Sequence, residues 1–151
     1  MRAFCARMGA TVPQRKALVL KASRILLSEK PLPERLQAFL EALLEGPFPI
    51  RSGKLYLRKG EGLRLVAQLG GEAGGAEVAL SLEGGGRALG RLSLRLAPAA
   101  SLAPEDRLAL EEAAGILALA LLRERAERAE RVLRRAGECA TQAAGEGDLL
   151  H

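Results

Sequence analysis

The sequence predicts an α+β fold, an antiparallel sheet of four or more strands with helices packed on one face. Three observations predict it. Residues 76–96, AEVALSLEGGGRALGRLSLRL, place Val78, Leu80 and Leu82 before a triple glycine and Leu92, Leu94 and Leu96 after it, each alternating with polar or small residues. A period of two marks strands with one buried face, and the glycines supply the turn. A second alternating pair, around Lys54–Leu55–Tyr56–Leu57–Arg58 and Leu63–Arg64–Leu65–Val66, is joined by Lys59–Gly60–Glu61–Gly62. Apolar residues at helical spacing flank both hairpins.

Taken in order, residues 1–12 show no period and read as a flexible N-terminal segment. Pro13 opens a first helix, with Leu18, Ala22, Ile25 and Leu26 on one face and Arg15, Lys16, Lys21 and Arg24 on the other. Pro31 and Pro33 interrupt it. Glu34 then lies in the first turn of a second helix carrying Leu36, Phe39, Leu40, Leu43 and Leu44, which Gly46–Pro47 stops. After the first hairpin comes a glycine-rich connector, 70–75, and after the second hairpin Pro104 opens a long helix. Glu105 and Asp106 sit in its first turn, where negative charge suits the helix dipole. Leu119, Leu122, Ala126, Ala129, Leu133 and Ala136 follow one another at alternating spacings of three and four, between arginines and glutamates. That seam suits a coiled coil or a packed helix pair. Beyond Gly137 the residues are small and polar, and fraying is expected. The implied division is a domain over 13–126 and a helical extension with a frayed tail over 127–151.

With 151 residues, 48% of them hydrophobic, the chain can bury one core. Aromatic residues make up 3%, so leucine and alanine must fill that core, and few rings are left to stack on bases or sugars. The net charge of +5 is spread along the chain with no dense basic run, a pattern that does not point to nucleic acid. Arginines in the first ten residues exclude a secretory signal there. The longest apolar run, 113–122, is about half of a membrane span, so no membrane insertion is expected. Cys5 and Cys139 lie near opposite ends and make no disulfide framework; a reduced, cytoplasmic protein is expected. Arginine, leucine and glutamate dominate and asparagine is absent, a composition associated with thermophilic proteins.

The residues offer little catalytic chemistry. The sole histidine, His151, is the last residue, and the aspartates are Asp106, at a helix start, and Asp148, in the polar tail. A nucleophile and base held by the fold cannot be assembled from these. The glutamates lie along helix faces, so no metal site and no cofactor is expected. The glycine groups have no Gly–Lys–Ser/Thr sequel and read as turns. No enzymatic activity is expected. If the strand leucines face the helices, the opposite sheet face carries Lys54, Tyr56, Arg58, Arg64, Arg91, Ser93 and Arg95. That face is either solvated or a site for an anionic small molecule or an acidic segment of a partner.

The order of these elements resembles a GAF domain over residues 18–126. SRILLSEK and PLPERLQAFLEALLEG resemble that family's opening helices, KLYLRKGEGLRLVAQLG its first hairpin, VALSLEGGGRALGRLSL its second, with Gly90 in place of a recurrent glycine, and LAPEDRLALEEAAGILALAL its closing helix. The resemblance implies a signalling module acting through dimerisation and small-ligand sensing. The first and last helices would form a homodimer face with Leu18, Ile25, Leu119, Leu122, Ala126, Ala129 and Leu133. Family members carry a long excursion between the hairpins that forms the ligand lid; here about seven residues occupy that interval. The GAF-like free methionine sulfoxide reductases use core cysteines, whereas Cys5 and Cys139 stand at the ends. The alternatives are an interaction scaffold without a ligand pocket, or a nucleic-acid-associated regulator using the basic sheet face. A separate signalling protein would supply the output.

Overall fold

The computed structural model describes residues 10–71 and 75–149, with side chains as far as 138. Helix α1 spans Val12–Leu26, α2 Leu32–Glu45 and α3 Pro104–Leu149. Between α2 and α3 lie the strands β1 (Ile50–Lys59), β2 (Gly62–Gly70), β3 (Glu77–Gly84) and β4 (Arg87–Leu96). The chain divides into two compact units between Ala120 and Leu121.

Local chemistry explains where the helices begin. At α1, the Gln14 N–H donates to the Thr11 hydroxyl at 3.3 Å and the Thr11 N–H to the Gln14 side chain at 2.8 Å. This reciprocal box satisfies donors that the first turn leaves unpaired, and Pro13 needs no partner there. Between α1 and α2, Arg35 donates to the carbonyls of Leu26 at 2.9 Å and Lys30 at 2.8 Å, tying the connection down. Helix α3 continues past Gly137 to Leu149; alanines 140, 143 and 144 favour helix and offset the glycines.

The four strands form one antiparallel sheet in the order β2-β1-β4-β3. The second hairpin turns on Gly85 and Gly86, both at positive φ (60° and 75°), the two-residue turn whose twist matches paired strands. Strands β2 and β3 are the opposite edges of the sheet.

One face of the sheet is dry. Leu55, Ala67, Val78, Leu80, Leu82, Leu92 and Leu94 are buried there, beneath Phe39, Leu40 and Leu43 of α2. The space at Gly53 shows this packing directly: a β-carbon would lie 3.2 Å from both Leu40 and Leu94 methyls. Leu18, Ala22 and Leu26 of α1 and Ala109, Leu110, Ala113, Ala114 and Leu117 of α3 complete the core. Gly90, opposite Leu57, allows a close approach, since a β-carbon there would stand 2.2 Å from the Tyr56 carbonyl oxygen.

One register detail corrects the sequence reading. Leu55 pairs with Ala67, but its neighbour Tyr56 pairs with Leu65, so Val66 is an extra residue on β2. A bulge of this kind shifts every following side chain to the other face. Arg64 therefore lies opposite Leu57 on the helix-facing side, while Leu63 and Leu65 share the open face with Arg58 and Tyr56. Among the described residues, no helix is long and apolar enough to cross a membrane.

Candidate functional site

The face of the sheet turned away from the helices has four cross-strand rows. Gly70, Ser52, Arg95 and Glu77 form the first, and Gln68, Lys54, Ser93 and Ala79 the second. Leu65, Tyr56, Arg91 and Ser81 form the third, and Leu63 beside Arg58 begins the fourth. Residues paired across antiparallel strands point to the same side, so the register alone assembles this surface. Every one of these side chains is exposed or half-buried, and no described element covers them.

Six of the seven residues expected on this face are brought together: Lys54, Tyr56, Arg58, Arg91, Ser93 and Arg95. Arg64 is not among them, for the bulge at Val66 turns it away. The sequence reading missed Leu63 and Leu65, which are 52% and 43% exposed. It also missed Glu77, whose place in a period-two strand was legible but whose partners were not.

Glu77 is the electrostatic centre of the face. Its Oε1 accepts the Ser93 hydroxyl and lies 3.4 Å from Arg91 Nη2. The Ser93 hydrogen bond above all, helped by the charges of Arg91, Arg95 and Lys54, holds its carboxyl below the ordinary glutamate range, against an opposing effect of desolvation that exceeds any one of those charges. Arg95 donates to the Gly75 carbonyl at 3.3 Å, and Arg58 to the Gly60 carbonyl at 3.1 Å. At the end of the face, Ser52, Lys54, Gln68 and Arg95 border a recess of about 570 Å³. The arrangement can hold an anionic group: several cations converge where one carboxylate already sits.

A second surface lies between α1 and α3. Val12, Lys16, Leu20 and Leu108 line an apolar groove of about 500 Å³ there. Beneath it, Asp106 is buried and accepts the Ala10 N–H with both carboxylate oxygens at 3.2 Å, while Arg15 lies 3.4 Å away. Arg15 also donates to the Ala10 carbonyl. The expected dimer residues are distributed unevenly. Leu18 is buried in the core of this chain, 4% exposed. Ile25 is half-buried and Leu119 is 67% exposed. In the C-terminal unit, Leu122 is half-buried, Ala126 and Ala129 are exposed, and Leu133 is 71% exposed. Val12 and Leu20 of α1, and Leu27 just past its end, missed in the sequence reading, are exposed instead of Leu18.

Cys5 and the side chain of Cys139 fall outside the described residues. Among the described residues, no group of three or more histidine, cysteine, aspartate or glutamate side chains is placed to hold a metal ion.

No family model matches this sequence, and no curated protein matches it. Solved structures do match. The GAF domain of a phosphoenolpyruvate-protein phosphotransferase from Coxiella burnetii aligns over 80% of this chain and 99% of its own, with a TM-score of 0.66 at 14% identity. The GAF domain of A. aeolicus Nlh2, in an inactive state, aligns over 74% and 98%, with a TM-score of 0.59 at 13% identity. Free methionine-R-sulfoxide reductase from Neisseria meningitidis, in complex with its substrate, aligns over 78% and 95%, with a TM-score of 0.66 at 18% identity.

This last match corrects the expectation of no enzymatic activity. An enzyme is built on the same fold, so the architecture does not set this chain apart from enzymes. The four-stranded antiparallel sheet, its helices and these alignments establish that the chain has a GAF-like fold.

Proposed function

We propose that this protein is a GAF-like signalling module that works as a homodimer. The exposed faces of α1 and α3 form its contact between copies, and the open sheet face forms its input surface. The observation that carries the reading is the apolar surface left on two neighbouring helices. Val12 and Leu20 stand out on α1, Leu27 just past its end, and Leu108 and Leu119 on α3, though each helix has already buried another face in the core. A helix normally presents one apolar stripe, and a second, exposed one marks a surface for another chain. The groove between Leu20 and Leu108 gives that contact a place to interlock.

In this reading Leu122, Ala126, Ala129 and Leu133 of the C-terminal unit meet their counterparts in the second copy as a helix pair. A ligand or partner engaging Lys54, Arg91, Ser93 and Arg95 would alter the sheet, and α3, which follows β4 in the chain, would carry the change onward. The GAF domains among the structural matches support the signalling role by likeness of fold.

Light scattering on the full chain tests the proposal. A mass of twice the chain at micromolar concentration, falling to one chain in Leu20→Glu combined with Leu119→Glu, is expected. A monomer at high micromolar concentration overturns it.

A further inference from the structure

The open face combines two chemistries that the strand register sets apart. Its first rows are polar and basic, with Lys54 and Arg95 at the recess and Ser93 beside them, and Arg91 of the third row reaches back to Glu77, whereas the β1–β2 side of its last rows exposes Tyr56, Leu65 and Leu63 beside Arg58. From Ser52 to Arg58 along β1 is six residues, about 20 Å of extended chain. A single small molecule does not span that length. Sites built for small molecules also bury about 70–90% of their ligand, and no described element roofs this face. An extended peptide of about six residues does span it.

We propose that the open sheet face docks an extended segment of a partner protein that is acidic at one end and apolar at the other, laid along β1. The inference rests on the reading of this face as the input surface and names what it receives. The acidic end sits over Lys54, Arg91 and Arg95, and the apolar end covers Tyr56, Leu65 and Leu63. Leucines 63 and 65 reach this surface through the bulge at Val66, which would otherwise have sent Arg64 there.

Glu77 gives the charge complementarity a direct marker. In the structure its carboxylate accepts from Ser93 and pairs with Arg91 at 3.4 Å, occupying the position an incoming carboxylate needs. It also lies opposite Arg95 in the register. Docking therefore exchanges an internal carboxylate for an external one, and Glu77 holds the surface closed to weakly acidic sequences. This makes a reversed prediction: removing an acidic residue strengthens binding of an acidic partner beyond the loss of one repulsion, because Arg91 and Ser93 are released as donors.

The test uses the full chain and a fluorescein-labelled peptide of about eight residues, glutamates in one half and leucines in the other. Fluorescence anisotropy reads binding, and a melting curve on each variant shows that it is folded. Saturable binding is expected, weakened at least about tenfold by Lys54→Glu with Arg95→Glu and by Leu65→Asp, and tightened several-fold by Glu77→Gln. Leu20→Glu, on the helix face, leaves it unchanged even where it alters the mass of the particle, so failure here is distinct from failure of the dimer. The proposal is overturned by no saturable binding, by an all-glutamate peptide binding equally well, by a single-stranded oligonucleotide binding more tightly, or by weaker binding in Glu77→Gln.

Discussion

Both oxygens of the Asp106 carboxylate, at the start of α3, accept the backbone N–H of Ala10, each at 3.2 Å. The two residues are 96 positions apart in the chain. Arg15 reaches the same carboxylate at 3.4 Å, so one buried acid joins the entry of α1 to the start of the last helix. Its position in the first turn of α3 also suits the helix dipole, which lowers the cost of burying the charge.

Replacing Asp106 with alanine leaves a buried N–H without its acceptor and Arg15 without its counter-charge. A loss of about 2–3 kcal/mol is expected, roughly 5–10 °C in Tm. Glu105→Ala, one residue earlier and exposed, leaves Tm nearly unchanged. Thermal melts of the two variants check this, and equal Tm values would show that the Ala10–Asp106 link contributes nothing.

Leu18 and Leu20 are two positions apart on α1 and have opposite fates: 4% and 58% exposed. Leu18→Ala empties part of the core and is expected to cost about 3 kcal/mol. Leu20→Glu is expected to leave the melting of the isolated fold nearly intact while weakening self-association. Denaturant unfolding of one and sedimentation of the other separate the two roles.

Gly90 cannot accept a side chain without displacing the β1 backbone, because of the 2.2 Å approach to the Tyr56 carbonyl. Gly90→Ala is expected to destabilise by at least about 2 kcal/mol, and Gly90→Val by more. Gly62, where a β-carbon meets nothing within 4 Å, is the control. A chemical-denaturation midpoint that falls equally in Gly62→Ala and Gly90→Ala would contradict the close approach.

Glu77 titrates below an ordinary glutamate, first because of the Ser93 hydrogen bond and then because of Arg91, Arg95 and Lys54. A carboxyl with a depressed folded-state pKa stabilises the fold above its unfolded pKa, and that contribution is lost as pH falls through the folded value. The Glu77–Ser93–Arg91 link should therefore weaken on acidification below the ordinary glutamate range. Carboxyl-detected NMR should show Ser93→Ala moving the Glu77 midpoint upward; an unchanged midpoint would remove the hydroxyl as the leading cause.

Much of this fold could be read from spacing. Period two in residues 78–82 and 92–96, and helical spacing through Leu36, Phe39, Leu40 and Leu43, name the elements because burial of one face imposes those periods on any chain. The open basic face followed in the same way for Lys54, Tyr56, Arg91, Ser93 and Arg95. Three things needed the folded chain. The bulge at Val66 carries no distinctive residue, yet it exchanges Arg64 for Leu63 and Leu65 on the open face, since register depends on how two strands meet. Asp106 reads locally as an ordinary first-turn acid, and its partners Ala10 and Arg15 come near it only when α1 and α3 pack together. Leu18 and Leu20 look alike in a list of apolar residues, and the packing of α2 over one side of α1 makes the first core and the second surface. Local spacing reports what a segment prefers, while the pairing of distant segments is set by contacts that no single segment contains.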